Sequence, residues 1–193
     1  MGKRVGEHRK HIAALETLWY QDVEQRVNVT PILEIISRMH EIKYTYLTCN
    51  TKGEFSYNLN LLKRKSGYLI LYLAFHGYPG QLHLTDHSII SLEQLAKMMG
   101  KNFVDWVVHF GSCGTLNTDC DRIANFMAAT KTIMVSGYTR TDVDWLESAA
   151  MDILYFQQLQ HNDTMPKLWD KLQEHYGELL SRTGFQVFMP QAS

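Results

Sequence analysis

The sequence predicts an α/β protein: a three-layer α/β/α sandwich in which helices cover both faces of a mostly parallel central sheet. Strand-like and helix-like segments alternate along the chain in the order β-α-β-α-β-α-β-α-β-α-α. Residues 68–75 (YLILYLAF) form an unbroken apolar run, as expected of a central parallel strand covered on both faces. Residues 103–110 (FVDWVVHF) predict a second buried strand, and right-handed crossovers would connect the parallel strands.

Periodicity and capping residues place the individual elements. Residues 11–19 are apolar enough for the first strand, although their Ala-Ala-Leu-Glu run would also suit the start of a helix. Thr30 and Pro31 are typical of a helix N-cap and first turn, and Ser91 is a good N-cap for a helix that Gly100 stops. The other predicted strands are residues 43–49, 68–75, 103–110, 132–136 and 185–189. The predicted helices are residues 31–41, 51–66 (closed by Gly67), 92–99, 121–129, 143–159 and 165–180. Residues 81–84 suit either one arm of a short hairpin or an extended loop.

Composition excludes several classes of function. The 193 residues suit one domain, residues 1–193, and no repeat or linker divides them. A net charge of −1 gives no electrostatic case for binding nucleic acid, and no apolar run is long enough to span a membrane. The basic N-terminal segment lacks the apolar stretch of a signal peptide. Three cysteines, an odd number, argue against a disulfide framework, so we expect a cytoplasmic protein with reduced thiols.

Two residues that can carry chemistry follow the two most apolar strands. His76 follows residues 68–75, and Cys113 follows residues 103–110. The two positions are one β-α-β crossover apart, so neighbouring parallel strands would bring both side chains to the same sheet edge, where α/β proteins collect functional groups. A thiol needs a nearby base to act as a nucleophile at neutral pH, and imidazole can take its proton and later protonate a leaving amine.

Glycines surround both candidates. Gly111 and Gly114 bracket Ser112-Cys113, which allows a tight turn and the close approach of a substrate backbone. Gly77 follows His76 directly, and the amides of Gly77 and Cys113 would form an oxyanion hole. A single cysteine or histidine at a strand end is more often structural than catalytic. The shared placement and the shared glycine context favour the catalytic interpretation of the pair.

These residues carry a resemblance to a known family. An apolar strand ending in His-Gly, followed by another ending in a small residue and Cys, resembles the caspase-like (clan CD) cysteine peptidases. The segment LAFHGYPGQLHLTDHSIISLEQLAKMM is most similar to the bacterial CHAT domains, and HFGSCGT would be the nucleophile block. The resemblance covers residues 68–138. It implies a caspase-like fold, Cys113 as nucleophile, His76 as general acid/base, and oxyanion amides near Gly77 and Cys113.

The resemblance also implies a reaction and shows where this chain departs from the family. It implies a cysteine endopeptidase that cleaves protein or peptide substrates and needs no cofactor or metal. Caspases carry Gln-Ala before the nucleophile and many metacaspases carry Asp-Ser, whereas this chain has Gly111-Ser112. No processing segment separates a large from a small subunit, so activation by cleavage of the caspase kind is not expected.

Substrate specificity would then depend on the segment SGYTRTDVDW, which lies where this fold usually builds part of the S1 pocket. Asp142 and Asp144 would favour a basic side chain at P1, the substrate residue before the scissile bond, through a charge-assisted pair. Either aspartate equally suits a helix N-cap, and we favour the capping interpretation. Arg140 would instead favour an acidic P1 residue. Ser112, beside the nucleophile, is also assigned to substrate binding.

Two other functions stay open to a chain of this kind. One is a catalytically inert caspase-like module that acts with a regulatory partner protein. The other is a nucleotide-binding domain, but no glycine-rich phosphate loop follows any predicted strand.

Further polar and sulfur-containing residues have simpler interpretations. His83, Asp86 and His87 lie in a predicted hairpin or loop, where a metal site is not expected. His109 lies within its strand rather than beyond the strand end. We therefore expect its side chain to be packed and not to act as the catalytic base. Cys49 and Cys120 are predicted to be structural.

Overall fold

A computed structural model of the chain describes residues 10–20, 24, 27–162 and 164–190. The strands are β1 His11–Glu16, β2 Tyr44–Thr48, β3 Tyr68–Ala74, β4 His76–Tyr78, β5 Gln81–His83, β6 Ile89–Ser91, β7 Val107–Phe110, β8 Met134–Tyr138 and β9 Phe185–Phe188. The helices are α1 Thr30–His40, α2 Lys52–Leu62, α3 Leu92–Met99, α4 Cys120–Thr130, α5 Trp145–His161 and α6 Met165–Thr183, with a 3₁₀ turn at Gly100–Asn102. The predicted alternation of strands and helices is confirmed.

Six strands form the main sheet, in the order β2-β1-β3-β7-β8-β9. The first five are parallel, and β9 pairs antiparallel with β8. The two most apolar strands are neighbours, since β3 pairs with β7 from Ile70↔Val107 to Leu73↔Phe110. Strands β4, β5 and β6 form a separate antiparallel sheet, so residues 81–84 are one arm of a hairpin.

Helices cover both faces of the main sheet and enclose two apolar cores. Along β3, Leu71 and Leu73 point into one core, while Ile70 and Tyr72 point into the other, as the alternation of side chains along a strand requires. The first core is closed by α2, α3 and α4 through Leu59, Leu95 and Phe126. The second is closed by α1, α5 and α6 through Leu33, Tyr155 and Leu168. The three-layer sandwich and the mostly parallel sheet are therefore confirmed.

Local capping explains where the helices begin and end. Ser91 caps α3 by accepting a hydrogen bond from the Gln94 amide, and the helix stops at Gly100, as predicted. The prediction that Thr30 caps α1 is wrong, because Val29 occupies the N-cap position and Thr30 is already helical. The Asn28 side chain instead accepts from the Thr30 amide at 3.0 Å.

The two predicted boundaries that move farthest are the end of α2 and the start of β7. Helix α2 ends at Leu62 rather than at Ser66, and a turn follows it in which the Arg64 and Lys65 amides donate to carbonyls at the end of the helix. The predicted strand 103–110 is reduced to Val107–Phe110. A turn precedes it, with Asp105 at a φ of 63° and the Trp106 amide donating to the Phe103 carbonyl at 3.2 Å.

The parallel strands all point their carboxyl ends at the same edge of the sheet, and this edge carries His76 and Cys113. Within the described part of the chain, no helix is long and apolar enough to cross a membrane.

Candidate active site

Neighbouring strands position the two predicted catalytic residues. Strand β3 ends at Ala74, two residues before His76, and β7 ends at Phe110, three residues before Cys113. The Gly111 amide donates to the Leu73 carbonyl at 2.9 Å, which extends the β3–β7 ladder to the edge of the sheet. Both residues therefore leave the sheet at the same edge from adjacent strands, the arrangement on which the catalytic interpretation depends.

The segment that carries His76 packs directly against the turn that carries Cys113. A Cβ atom at Gly77 would overlap the Cys113 carbonyl oxygen and the Thr115 hydroxyl, so no other residue fits here without moving the backbone. Farther along, the Gly80 amide donates to the Thr115 carbonyl at 2.9 Å. The residue after the candidate base is thus in contact with the backbone of the candidate nucleophile.

A backbone carbonyl orients the His76 ring. Nε2 of His76 lies 2.9 Å from the carbonyl oxygen of Trp19, and since a carbonyl only accepts, the ring hydrogen is on Nε2. This leaves Nδ1 as the basic nitrogen of the neutral ring. The Trp19 ring contacts the His76 ring edge to face at 5.1 Å and the Trp145 ring at 5.3 Å. His76 itself is exposed, so substrate can reach it.

A buried carboxylate holds Trp19. Glu16, at the end of β1, is 1% exposed and accepts from the Trp19 indole at 2.5 Å and the Tyr46 hydroxyl at 2.6 Å. The Val29 amide supplies a third hydrogen bond at 3.1 Å. Burial raises the pKa of Glu16, and these hydrogen bonds oppose the rise. Glu16 therefore fixes Trp19, whose carbonyl in turn fixes His76.

The Cys113 sulfur is half-buried, and its surroundings raise the pKa of the thiol. Burial raises the pKa of its thiol, and the negative charge of Asp142 raises it further, while hydrogen bonds from the Val143 backbone and from its own amide oppose the rise. The thiol donates weakly to the Val143 carbonyl at 4.0 Å. A preformed thiolate–imidazolium pair would instead lower the pKa of the thiol, which is opposite to the direction found for Cys113.

The turn that carries Cys113, residues 111–116, is called the nucleophile turn. Its shape depends on its glycines and on a buried pair of hydroxyl groups. Gly114 has a φ of +67°, and a Cβ atom there would lie 2.9 Å from Thr141 Cγ2. Ser112 is fully buried, with its hydroxyl 2.8 Å from that of Thr115. A Cβ atom at Gly111 would overlap the ring of Tyr72 beneath it. The predicted substrate residue Ser112 thus faces the interior and supports the turn.

The residues predicted to set specificity lie in different settings. Asp144 caps α5, accepting from the amides of Leu146 and Glu147 at 2.9 and 3.0 Å, which is the role the sequence favoured. Asp142 is exposed, and its charge is close enough to affect the Cys113 thiol. Arg140 is exposed and packs against Gly184 at the start of β9. Of these three residues, Asp142 is the one whose charge raises the pKa of the Cys113 thiol.

Other predicted features fall outside the site. His109 is buried within β7, as predicted, and Cys49 is buried, with burial raising the pKa of its thiol to about 11. Cys120 is exposed at the start of α4 and lines a groove of about 520 Å³ with residues of α4 and β9, so it is not part of the core. In the described ranges, no group of three or more His, Cys, Asp or Glu side chains is placed to hold a metal ion.

Sequence reasoning missed three residues that lie behind the two candidates. Trp19 follows β1, the neighbour of β3, so its position beyond a strand end was an available signal. Glu16 is a carboxylate at the end of an apolar strand. Asp152 interrupts the apolar face of α5, where Met151, Tyr155 and Phe156 are buried around it.

The chain belongs to a protein family described as "Family of unknown function (DUF6642)", which it matches over residues 9–189. A comparison with curated proteins finds no match. Among solved structures, the crystal structure of the Drosophila initiator caspase Dronc is similar, with a TM-score of 0.63 and 10% sequence identity. The similarity covers 95% of this chain and 80% of that chain. At this identity the similarity shows the fold, and the predicted caspase-like fold is confirmed.

Proposed function

We propose that this protein is a cysteine endopeptidase in which Cys113 is the nucleophile and His76 the general acid/base. One observation carries the proposal: Gly77 packs on the backbone of Cys113, while the ring of the preceding residue is oriented by the Trp19 carbonyl. An exposed, oriented imidazole and a half-buried thiol, brought to one sheet edge by adjacent strands, suit acyl transfer better than a structural role.

In the proposed reaction, His76 acts first as a base and then as an acid. His76 Nδ1 accepts the thiol proton as Sγ attacks the carbonyl carbon of the scissile peptide bond. The amides of Cys113 and Gly77 would stabilise the oxyanion. As the C–N bond breaks, the His76 imidazolium gives its proton to the leaving amine. Water, deprotonated by His76, then hydrolyses the thioester and regenerates the thiol.

For substrate preference, Asp142 favours a basic side chain next to the scissile bond. It is exposed and its charge reaches Cys113, whereas Asp144 is committed to the helix cap and Arg140 packs against Gly184. We also propose that a partner protein regulates this chain. Within the caspase-like fold, we propose that the chain is related to the CHAT domains.

The test is hydrolysis of a fluorogenic peptide panel that contains Lys, Arg, Asp and apolar residues before the scissile bond. We expect Cys113→Ala and His76→Ala each to lower the rate by at least about 10³-fold, since removal of either member disables the pair. Cys120→Ala and His87→Ala, which change an exposed thiol and an exposed imidazole elsewhere, are the matched controls. Full activity in either pair variant would refute the assignment.

A second function, an inert interaction module, is favoured by one observation. The segment before α5 packs on the turn that carries Cys113 through Thr141 and Val143, so part of the thiol is covered. Iodoacetamide distinguishes the two functions. Exposed Cys120 serves as the reactive reference and buried Cys49 as the unreactive one. A Cys113 thiol as unreactive as Cys49 would favour the module.

A further inference from the structure

A buried polar cluster lies beneath the nucleophile turn, in the layer between the sheet and α5. At its centre Asp152 is 2% exposed. Its carboxylate accepts from the hydroxyls of Tyr72 and Tyr138, both at 2.5 Å, and from Nε2 of His109 at 2.8 Å. Burial raises the pKa of both tyrosines well above the ordinary value, so both hydroxyls stay protonated and donate to the carboxylate.

The three donors come from three adjacent strands of the main sheet. Tyr72 belongs to β3, His109 to β7 and Tyr138 to β8, so one carboxylate on α5 binds the strands that surround the candidate site. The other ring nitrogen of His109 lies 3.0 Å from the Ser136 hydroxyl. Serine, histidine and aspartate thus form a chain like that of a hydrolase triad, but all three are buried, and no substrate carbonyl can reach the serine.

The two tyrosines support both ends of the turn that carries Cys113. At its start, the Tyr72 ring lies so close to Gly111 that a Cβ atom there would overlap it. At its end, the Leu116 amide donates to the Tyr138 carbonyl at 3.2 Å. The turn of residues 111–116 therefore rests on two residues whose hydroxyls share the carboxylate of Asp152.

We propose that Asp152 is a positioning residue, whose carboxylate acts through Tyr72 and Tyr138 to hold the Cys113 sulfur in place opposite His76. The polar cluster is not needed to fill space, because apolar side chains of similar shape fill such layers without loss of stability. One carboxylate that accepts hydrogen bonds from side chains on three strands favours a single arrangement of those strands. It thereby also favours a single arrangement of the turn that rests on them. The catalytic part of this inference rests on the proposed peptidase function, whereas the effect on the position of Cys113 does not.

The primary test compares Asp152→Asn with the wild type in a Cys120→Ser background. The rate of Cys113 alkylation by iodoacetamide is measured as a function of pH, and urea unfolding reports the integrity of the fold. We expect the variant to react several-fold faster at neutral pH, with the pH–rate profile shifted to lower pH, because the turn loosens and a negative charge near the thiol is lost. Peptide hydrolysis should move in the opposite direction, since a displaced nucleophile is a poor catalyst.

Milder variants keep the test decisive if Asp152→Asn does not fold. The double variant of Tyr72→Phe and Tyr138→Phe removes both supporting hydroxyls and should also accelerate alkylation. Tyr155→Phe is the matched control, because its hydroxyl lies in the same layer but contacts Ser136, not Asp152 or the turn. A folded Asp152→Asn variant, or a folded double variant, with wild-type alkylation would overturn the proposal, as would an equal acceleration by Tyr155→Phe. If the wild type cleaves no peptide, the peptidase proposal fails while the alkylation profile still decides the role of Asp152.

Discussion

The two halves of the candidate site are held in different ways. His76 is exposed and is fixed by one hydrogen bond to a carbonyl and by the edge of one aromatic ring, with Glu16 behind them. The turn that carries Cys113 stands on a buried layer in which one carboxylate binds three strands. Electrostatics and hydrogen bonds act more strongly in the buried layer than at the exposed edge. The candidate base therefore has fewer supports than the turn that carries the candidate nucleophile.

Among variants that keep both His76 and Cys113, the largest effect is expected where the two halves meet. Gly77→Ala places a methyl group on the Cys113 carbonyl oxygen and must push the His76 segment away from the nucleophile turn. We expect peptide hydrolysis to fall by about 10²-fold, the effect of misplacing reacting groups by roughly 1 Å. Gly177→Ala, where a Cβ atom meets nothing within 4 Å, is the control and should keep full activity. Equal rates for both variants would show that the contact does not set the geometry of the pair.

A substitution behind His76 alone should have a smaller effect on hydrolysis. Glu16→Gln keeps the shape of the side chain but turns an amide donor toward the indole of Trp19 or the hydroxyl of Tyr46, so the support behind His76 weakens. We expect hydrolysis to fall about tenfold, a part of the 10²–10⁴-fold that a general base supplies.

Alkylation of Cys113 shows whether Glu16→Gln affects only the surroundings of His76 or also the Cys113 thiol. Burial and Asp142 raise the pKa of the thiol, and Glu16→Gln alters neither, so the alkylation rate should match the wild type. Tyr46→Phe, which removes a bond to the same carboxylate without touching Trp19, should have the weaker effect on hydrolysis. A large change in alkylation would mean that the two halves are coupled.

Within the nucleophile turn, Ser112→Ala tests the contribution of the buried hydroxyl pair. The change leaves the Thr115 hydroxyl with the Gln81 carbonyl as its remaining partner, at 3.2 Å. We expect a loss of about 1 kcal/mol in the free energy of unfolding, measured in urea. Ser66→Ala on the surface should change it by less than about 0.5 kcal/mol. An unchanged free energy for Ser112→Ala would show that the pair does not stabilise the turn.

The smallest effect is expected at an ion pair outside the site. Arg122 of α4 binds Glu93 of α3 at 2.8 Å and also covers Gly80, so it connects the segment after His76 with the segment after Cys113. The hydrogen bond from Arg122 lowers the pKa of Glu93 to about 2. Because the Glu93 side chain is 56% exposed and that of Arg122 34%, solvent screens the pair, and Glu93→Gln should cost less than about 1 kcal/mol of unfolding free energy.

The stabilisation that Glu93 provides should change with pH in a definite direction. A carboxylate with a lowered pKa in the folded state stabilises the fold above its unfolded pKa of about 4.5, and loses that effect as the pH falls toward 2. The difference between wild type and Glu93→Gln in urea should therefore be present at pH 6 and shrink toward zero near pH 2. A difference that grows in acid would contradict the assignment.

Local patterns were enough to predict the fold and to locate the pair. Each of the two buried strands is recognisable from its own residues, and the carboxyl ends of adjacent parallel strands must share an edge, so His76 and Cys113 could be placed together. Boundaries were less predictable. The segment before Val107 is apolar enough for a strand, but the turn at Asp105 depends on packing that no local pattern shows.

The supports of the site depend on contacts that are distant in sequence. The Trp19 carbonyl meets His76 across 57 residues, and the hydroxyl of Tyr72 meets Asp152 across 80. The position of Trp19 beyond a strand end could be predicted, but a main-chain carbonyl has no sequence signature, so its hydrogen bond with His76 could not. Asp152 was detectable in principle as a carboxylate on an apolar helix face, which is costly unless donors satisfy it. Its partners become apparent only once the strands are assembled.

The most direct test of the proposed catalytic pair is labelling with a peptidyl chloromethyl ketone that carries arginine next to the reactive group, followed by mass spectrometry. The warhead forms a thioether only with a reactive thiol, and the peptide selects a thiol that lies in a substrate site. The proposed pair predicts an adduct on Cys113 in the wild type, slowed strongly in His76→Ala and suppressed by competing peptide. Labelling confined to the exposed Cys120, or equal labelling of Cys113 in wild type and His76→Ala, would contradict it.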